Sequence, residues 1–273
     1  MKYCFYALLF AIVITMCPTH SAFAQQKNYK IVAIDEAPGR TMDAGLFATA
    51  DPEAVKKYMP EGKVPASVTT FVLFAGEDTI LFDAGNGNEL WVKKLTDAGV
   101  KPENVKFIFL THRHGDHIGG LFQNETRRFP HAKVLCSKPE YESLAKVKSA
   151  YGQDFTTFNF EDEVFANTTV KVKALDAVGH TPGHTAFLIE SQGDKLLIVG
   201  DLLHAAALQF PVPEACARFD MDHEKAVAAR KRILEGAAKE KYPIAGMHFP
   251  SPYIGKVEKN DQGGYIFHVN VED

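Results

Sequence analysis

Short runs of β-branched and aromatic residues recur along the whole chain and predict β-strands. Five lie in each half of the sequence, and Gln192-Gly193-Asp194 has the composition of a hairpin turn between two of them. Both halves are therefore expected to be rich in strand. The predicted strands cover residues 29–34, 68–74, 79–82, 106–110, 133–136, 170–174, 185–190, 195–199, 244–247 and 264–269.

Apolar positions spaced three and four apart predict three helices, at 89–98, 138–150 and 222–241. Gly99 directly follows the first of them and is typical of a helix end. Hairpins thus alternate irregularly with crossover helices. This order favours two sheets packed face to face with helices outside them, in an α/β (α+β) fold.

The chain begins with Met1-Lys2, an apolar run over 3–16 and the small-residue pattern Ala22-Phe23-Ala24. The run is shorter than the ~20 residues of a transmembrane helix, so we interpret 1–24 as a signal peptide cleaved after Ala24. A lipid-modified Cys17 is the alternative, which Met16 disfavours because a small residue is expected before such a cysteine. Residues 25–273 then form one domain of a periplasmic or secreted protein.

The composition is that of a globular protein, with 46% hydrophobic and 23% charged residues. The formal net charge is -4, and it becomes -5 when Lys2 leaves with the signal peptide. No basic face for nucleic acid is expected, and no membrane contact after cleavage. Cys136 and Cys216 would remain in an oxidising compartment, where a disulfide between them is left open.

The segment Thr111-His112-Arg113-His114-Gly115-Asp116-His117 directly follows the predicted strand at 106–110. A strand end directs His112 and His114 to one side, and Asp116 and His117 can turn back at the start of a helix. Two adjacent metal ions are then within reach. A histidine-rich surface loop is the alternative reading, which the apolar flanks disfavour.

This segment resembles the H-x-H-x-D-H signature of the metallo-β-lactamase superfamily, whose fold is a four-layer αββα sandwich. The stretch 179–255 further resembles the branch that contains methyl parathion hydrolase and lactonases. The resemblance extends over nearly all of the mature chain. Four more positions match, namely Asp83 in Leu81-Phe82-Asp83-Ala84-Gly85, His184 in Gly179-His180-Thr181-Pro182-Gly183-His184, Asp201 after Val199-Gly200, and His248 after Gly246-Met247.

The resemblance implies two divalent metal ions, with zinc expected first and manganese, iron or cobalt as alternatives. His180 is assigned a supporting role, because the histidine after Pro-Gly is taken as the ligand. A cysteine at position 201 would instead indicate a β-lactam-cleaving relative. The implied ligands are His112, His114 and His184 for one metal, Asp116, His117 and His248 for the other, and Asp201 as the bridge.

The expected chemistry is hydrolysis by a hydroxide that bridges the two metals, without a covalent enzyme intermediate. Asp116 is a candidate proton shuttle as well as a ligand, and His204 could donate a proton or a hydrogen bond to substrate. Asp83 either orients metal ligands or caps a turn. His204 equally fits a residue that only lines the pocket.

The expected substrate is a small molecule, first a lactone or other carboxylic ester and second a phosphotriester. The apolar segment 202–212 is either core or a pocket wall, with core slightly favoured. A homodimer is left open. The competing functions are an iron-dependent sulfur oxygenase of the same fold, a β-lactam hydrolase, and a protein whose metals serve only structure or partner binding.

Overall fold

A computed structural model describes residues 29–269, and the predicted signal peptide at 1–24 lies outside the described residues. All ten predicted strands are present, with ends shifted by a few residues. The strands are, in chain order, β1 (Tyr29–Asp35), β2 (Thr41–Asp43), β3 (Lys63–Pro65), β4 (Thr69–Ala75), β5 (Asp78–Phe82), β6 (Val105–Phe109), β7 (Phe122–Gln123), β8 (Thr126–Arg127), β9 (Lys133–Ser137), β10 (Phe155–Phe158), β11 (Glu163–Ala166), β12 (Lys171–Asp176), β13 (Thr185–Ser191), β14 (Asp194–Ile198), β15 (Ile244–Ala245), β16 (Ile254–Lys259) and β17 (Tyr265–His268).

The helix predicted at 138–150 is two shorter helices, because Leu144 takes a non-helical conformation between them. The other two predicted helices are present, and the longer one is capped by the Asp222 side chain. The helices are α1 (Pro52–Tyr58), α2 (Glu89–Asp97), α3 (Gly115–Ile118), α4 (Lys138–Tyr141), α5 (Ala145–Tyr151), α6 (Ala206–Gln209) and α7 (His223–Glu240).

The strands form two large mixed sheets. The first has the order β1-β4-β5-β6-β9-β10, with antiparallel pairs on the β1 side and parallel pairs from β5 to β10. The second runs from β11 to β17 in sequence order, and within it only β14 and β15 are parallel. The turn Gln192-Gly193 connects β13 to β14, and both of its residues have positive φ as a tight hairpin requires.

Successive side chains of the central strands alternate between the face that packs against the other sheet and the face that packs against the helices. Phe71 of β4, Phe82 of β5 and Phe187 of β13 face each other between the sheets. Val72 and Leu81, each one position away, point to the outer face, where they pack with α2 and α5. The α7 helix covers the other sheet with its apolar side. The αββα sandwich expected from the sequence is confirmed.

One region that the sequence left without elements is a small lobe made of β2, β3 and α1. Met42, Phe47 and Met59 of this lobe are buried together with Ala205 and Leu208. The apolar segment 202–212 is accordingly core, divided between this lobe and the layer beneath α7. No helix within residues 29–269 is both long and apolar enough to cross a membrane.

Candidate metal centre

Loops at one edge of the sandwich bring the chemistry-bearing side chains together. The H-x-H-x-D-H segment leaves β6 and enters α3, with His114 at the start of that helix. Asp201 lies in a turn that follows β14, and His248 follows β15. Because these strands end at the same edge, residues far apart in sequence form one cluster.

The Asp201 carboxylate lies at the centre of this cluster. Its Oδ1 atom is 3.0 Å from Nε2 of His117 and 3.2 Å from Nε2 of His248. Its Oδ2 atom is 3.3 Å from Nε2 of His180 and 3.7 Å from Nε2 of His112. His248 Nε2 is also 3.3 Å from Oδ2, so His117 lies on the Oδ1 side, His112 and His180 lie on the Oδ2 side, and His248 reaches both oxygens. A carboxylate that bridges two metal ions needs ligands beside each of its oxygens.

Within residues 29–269, four overlapping groups of side chains have ligand atoms close enough to hold a metal ion, and two of them, which share no residue, contain most of the expected ligands. His112, His114, His180 and Asp201 form one group, and Asp116, His117 and His248 form the other. Six of the seven ligands expected from the sequence belong to these groups. Asp201 Oδ1 completes the second group through its approach to His117 and His248.

The seventh expected ligand, His184, requires a correction. Its Nδ1 donates to the carbonyl of Ala177 at 2.9 Å, and its Nε2 accepts from the backbone N–H of Asp201 at 2.9 Å. Neither ring nitrogen is left for a metal. His180 instead directs Nε2 to within 3.0 Å of Nδ1 of His114. The geometry of the two rings therefore favours His180, and not the His184 expected from the sequence, as the ligand of the first group.

Hydrogen bonds on the far side of the rings fix which nitrogen faces the cluster. Nδ1 of His117 donates to Asp83 at 2.6 Å, and Nδ1 of His248 donates to the carbonyl of Ser67 at 2.8 Å. His180 uses Nδ1 on Asp220 at 3.0 Å. With Nδ1 protonated, the Nε2 lone pair of each ring points toward Asp201, as metal ligation requires.

Several of these inward atoms are buried without a hydrogen-bond partner. They include Nε2 of His112, Nε2 of His117 and Oδ1 of Asp201. Unpaired buried polar groups are costly, and a native protein rarely gathers several at one point. Imidazole nitrogens and carboxylate oxygens are ligands that suit zinc and related divalent ions. The residues present therefore fit two metal ions.

The electrostatics of the cluster reflect its burial. Burial and the neighbouring His117 hold the pKa of His112 well below its usual value. Burial alone would raise the pKa of Asp201, but His117, His248 and His112 outweigh it and hold that pKa well below the usual value. Burial would lower the pKa of His117, but Asp201 and Asp83 outweigh it and raise that pKa well above its usual value, so a cation that binds here displaces a proton from this ring.

Asp83 supports the H-x-H-x-D-H segment from beneath. Its carboxylate accepts hydrogen bonds from the backbone N–H and the hydroxyl of Thr111, each at 2.7 Å, besides the one from His117. The Thr111 hydroxyl in turn lies 3.0 Å from Nδ1 of His112. Asp83 therefore contacts ligands of both groups, directly or through Thr111, which fits the orienting role rather than a turn cap.

Asp116 lies on the open side of the cluster, and His204 lies in its buried part. The Asp116 side chain is partly exposed, with its oxygens 3.8 Å from Nε2 of His117 and 3.7 Å from Nε2 of His248. His204 is buried, with Nε2 at 3.2 Å from Asp201 and its ring stacked on that of His248. Its position beside Asp201 places it among the site residues, while its role in catalysis stays a prediction.

No motif in the sequence indicated Asp220, which lies 40 residues from its partner His180. Cys136 and Cys216 are both free and buried, so the disulfide left open by the sequence is absent between them. Burial raises the pKa of both thiols, which keeps them protonated and poorly reactive.

Residues 64–243 match the model of the Metallo-beta-lactamase superfamily. The matched region covers well over half of the chain and carries most of the cluster. The chain therefore belongs to the Metallo-beta-lactamase superfamily, as the H-x-H-x-D-H segment indicated.

Two curated relatives show the range of this similarity. The chain is 32% identical over 139 residues to an atrochrysone carboxyl ACP thioesterase of Pseudocercospora fijiensis, covering 47% of this chain and 37% of the relative. It is 27% identical over 176 residues to an N-acyl homoserine lactonase of Bacillus cereus, covering 63% and 64%. The chain thus spans between about one third and two thirds of the length of these relatives.

Two solved structures share the fold over nearly their whole length. The hydrolase AbOPH superposes with a TM-score of 0.80 at 25% identity, covering 91% of this chain and 97% of that one. AidC, described as a dizinc quorum-quenching lactonase, superposes with a TM-score of 0.80 at 22% identity, covering 90% and 96%. The fold is therefore shared throughout.

Proposed function

We propose that this protein is an exported metal-dependent hydrolase that uses two divalent ions, zinc first, to open a lactone or cleave another carboxylic ester. One observation carries the proposal, namely the central Asp201 carboxylate, with His117 beside its Oδ1 atom, His112 and His180 beside its Oδ2 atom, and His248 within reach of both. An iron-dependent oxygenase with a single metal would leave the group of Asp116, His117 and His248 without a role.

When bound, two such ions lower the pKa of a shared water and polarise the scissile carbonyl. The side chains of this protein supply the rest. Asp201 and the histidines of the cluster form a preorganised base of the site from which water is excluded, since all of these histidines except His114 are buried. Asp116 is the acidic group on the open side, so its carboxylate can take a proton from an incoming water and return it to the leaving oxygen.

The surface beside the cluster favours a substrate with an apolar part. Phe219 and Met221 are 41% and 60% exposed, and they are two of the four large hydrophobic side chains exposed within residues 29–269. The Phe219 ring lies 5.9 Å from that of His204, and the backbone N–H of Met221 donates to the carbonyl of His180. An acyl chain or an aromatic ring would cover this surface while its carbonyl reaches the cluster.

The test is a hydrolysis panel on the purified protein that contains acyl homoserine lactones of increasing chain length, aryl lactones, simple esters, thioesters, phosphotriesters and a β-lactam. We expect the highest kcat/KM on a lactone or ester, rising with apolar chain length. Phe219→Ser, which removes apolar surface without touching the cluster ligands, should raise KM for long-chain substrates more than for short ones. Cleavage of the β-lactam alone, or oxygen consumption on a persulfide, would contradict the proposal.

Thioester cleavage is a second candidate that the relatives favour. The thioesterase of Pseudocercospora fijiensis is more similar in sequence, at 32% identity, than the lactonase of Bacillus cereus at 27%, although over a shorter stretch. A carbonyl carbon is attacked in both reactions. A kcat/KM higher for thioesters than for all lactones would select this candidate.

Export is part of the proposal and rests on the composition of residues 1–24. The test is expression of the full chain in a bacterial host, followed by fractionation and N-terminal sequencing. A mature protein that begins at Gln25 in the periplasm is the expected result. An uncleaved N-terminus in the cytoplasm would contradict export without affecting the hydrolase proposal.

A further inference from the structure

Two buried carboxylates contact cluster histidines at Nδ1, the ring nitrogen that faces away from Asp201. One of these histidines belongs to each group. Asp83 lies behind His117, and Asp220 lies behind His180. Their surroundings differ. Asp83 accepts its remaining hydrogen bonds from Thr111, which is neutral. Asp220 is contacted by the guanidinium of Arg230, with Nη2 of Arg230 3.3 Å from Oδ2 of Asp220.

Arg230 is a fully buried cation on the inner side of α7. Its Nε donates to the carbonyl of Leu202 at 2.7 Å, and its Nη1 donates to the carbonyls of Pro213 and Ala215 at 2.8 and 2.9 Å. Leu202 directly follows Asp201 in the chain. One guanidinium therefore fastens the segment that starts at the bridging carboxylate and ends at Asp220.

Gln209 reinforces the same segment. Its Oε1 accepts from the backbone N–H of His204 at 2.6 Å, and its Nε2 donates to the carbonyl of Ala215 at 2.8 Å. Arg230 also binds the carbonyl of Ala215. A continuous polar network thus links the backbone of His204 to the side chain of His180, and Arg230 lies at its centre.

We infer that the Arg230–Asp220 pair is a positioning device for one of the two metal ions, the one held by His112, His114 and His180. Asp220 fixes the Nδ1–H tautomer and the ring orientation of His180, and Arg230 fixes Asp220 relative to the turn that carries Asp201. Neither residue reaches the substrate side. The pair acts on the metal through His180, as Asp83 acts directly through His117 and, by way of Thr111, through His112.

This inference rests on the metal binding of the proposed function and is independent of the substrate. The test is zinc titration of the metal-free protein in competition with a chelator. Asp220→Asn keeps the size of the side chain and changes the group that His180 Nδ1 meets. We expect it to weaken one zinc equivalent about 10- to 100-fold and to leave the other near its wild-type affinity.

Arg230 is tested by a graded pair of substitutions. Arg230→Lys retains a positive charge but cannot serve four acceptors at once, and Arg230→Met retains neither property. The weakening of the same equivalent should increase from the lysine to the methionine variant. Asp220→Asn combined with Arg230→Met should weaken the binding of this zinc ion by less than the sum of the two single free-energy changes, because both residues act through His180.

Leu234→Ala is the matched control, since Leu234 is a buried residue of α7 without polar contacts to the cluster. It should lower the melting temperature of the metal-free protein and leave both zinc affinities unchanged. Equal weakening of both equivalents in Asp220→Asn, or the same loss in Leu234→Ala, would show a merely structural role and overturn the inference. A wild-type protein that binds no zinc would instead refute the proposed function.

Discussion

The Nε2 atom of His184 accepts a hydrogen bond of 2.9 Å from the backbone N–H of Asp201, so this histidine holds the turn that carries the central carboxylate. Burial lowers the pKa of His184 to about 3, and a neutral ring is the form that can accept this bond. His184 therefore supports the site by positioning Asp201.

The two histidines of this motif should respond differently to substitution. His180→Ala removes a side chain that faces Asp201 and should lower the bound metal by about one ion per chain. His184→Gln should retain both ions, because glutamine can accept from a backbone N–H, and should lower the melting temperature instead. Elemental analysis of both purified variants checks this. Metal loss in His184→Gln with full metal in His180→Ala would restore the assignment made from the sequence.

Asp83 permits a test of charge without a change of backbone. Its φ is 61°, a left-handed conformation that asparagine adopts readily, so Asp83→Asn should keep the turn. The change removes the carboxylate that accepts from His117, and we expect metal affinity to fall about 10- to 100-fold. Zinc titration measures it. Asp83→Ala should lose stability as well as affinity, and equal behaviour of the two variants would contradict the role given to the charge.

Substitution of Asp116 should lower turnover more than metal content. Because its side chain is partly exposed on the open side and is the candidate proton shuttle, Asp116→Asn should lower kcat about 100-fold or more while most of the metal stays bound to the other ligands. Parallel measurement of kcat and bound metal decides this. A loss of metal in proportion to the loss of kcat would assign Asp116 to ligation alone.

Glu36, which lies outside the cluster, should make the free energy of unfolding depend on pH. Burial raises the pKa of this carboxyl, although the backbone N–H of Asn86 donates to it at 2.6 Å. The folded state therefore keeps a proton that the unfolded chain releases near its ordinary pKa. The free energy of unfolding of the wild type relative to Glu36→Gln should fall as pH rises from about 4 and level off above the raised pKa. A difference that grows with pH in urea titrations would contradict this.

The fold was accessible from the sequence because its signals are local. Alternation in β4 and β5 separates Phe71 and Phe82 from Val72 and Leu81, which is the pattern that puts apolar side chains on both faces of a covered sheet. The lobe of β2, β3 and α1 escaped prediction because its strands are three residues long. Their stability depends on contacts with Ala205 and Leu208, more than 140 residues away.

The site was accessible where ligands are adjacent in sequence, as in the segment from His112 to His117. Spacing could not decide between His180 and His184, because both lie in one loop that precedes β13 and only three-dimensional contacts show which ring faces Asp201. Asp220 and Arg230 were out of reach for the same reason. The Asp220 carboxylate and the Arg230 guanidinium reach each other and the site only when α7 packs against the turn after β14.

The metal content of the purified protein distinguishes a two-metal hydrolase from the alternatives. We expect about two divalent ions per chain, principally zinc, with lactone or ester hydrolysis that a chelator abolishes and added zinc restores. His180→Ala, measured beside the wild type, should contain about one ion fewer. A wild-type protein without metal, or one with about a single iron per chain and hydrolysis unaffected by chelator, would contradict this expectation.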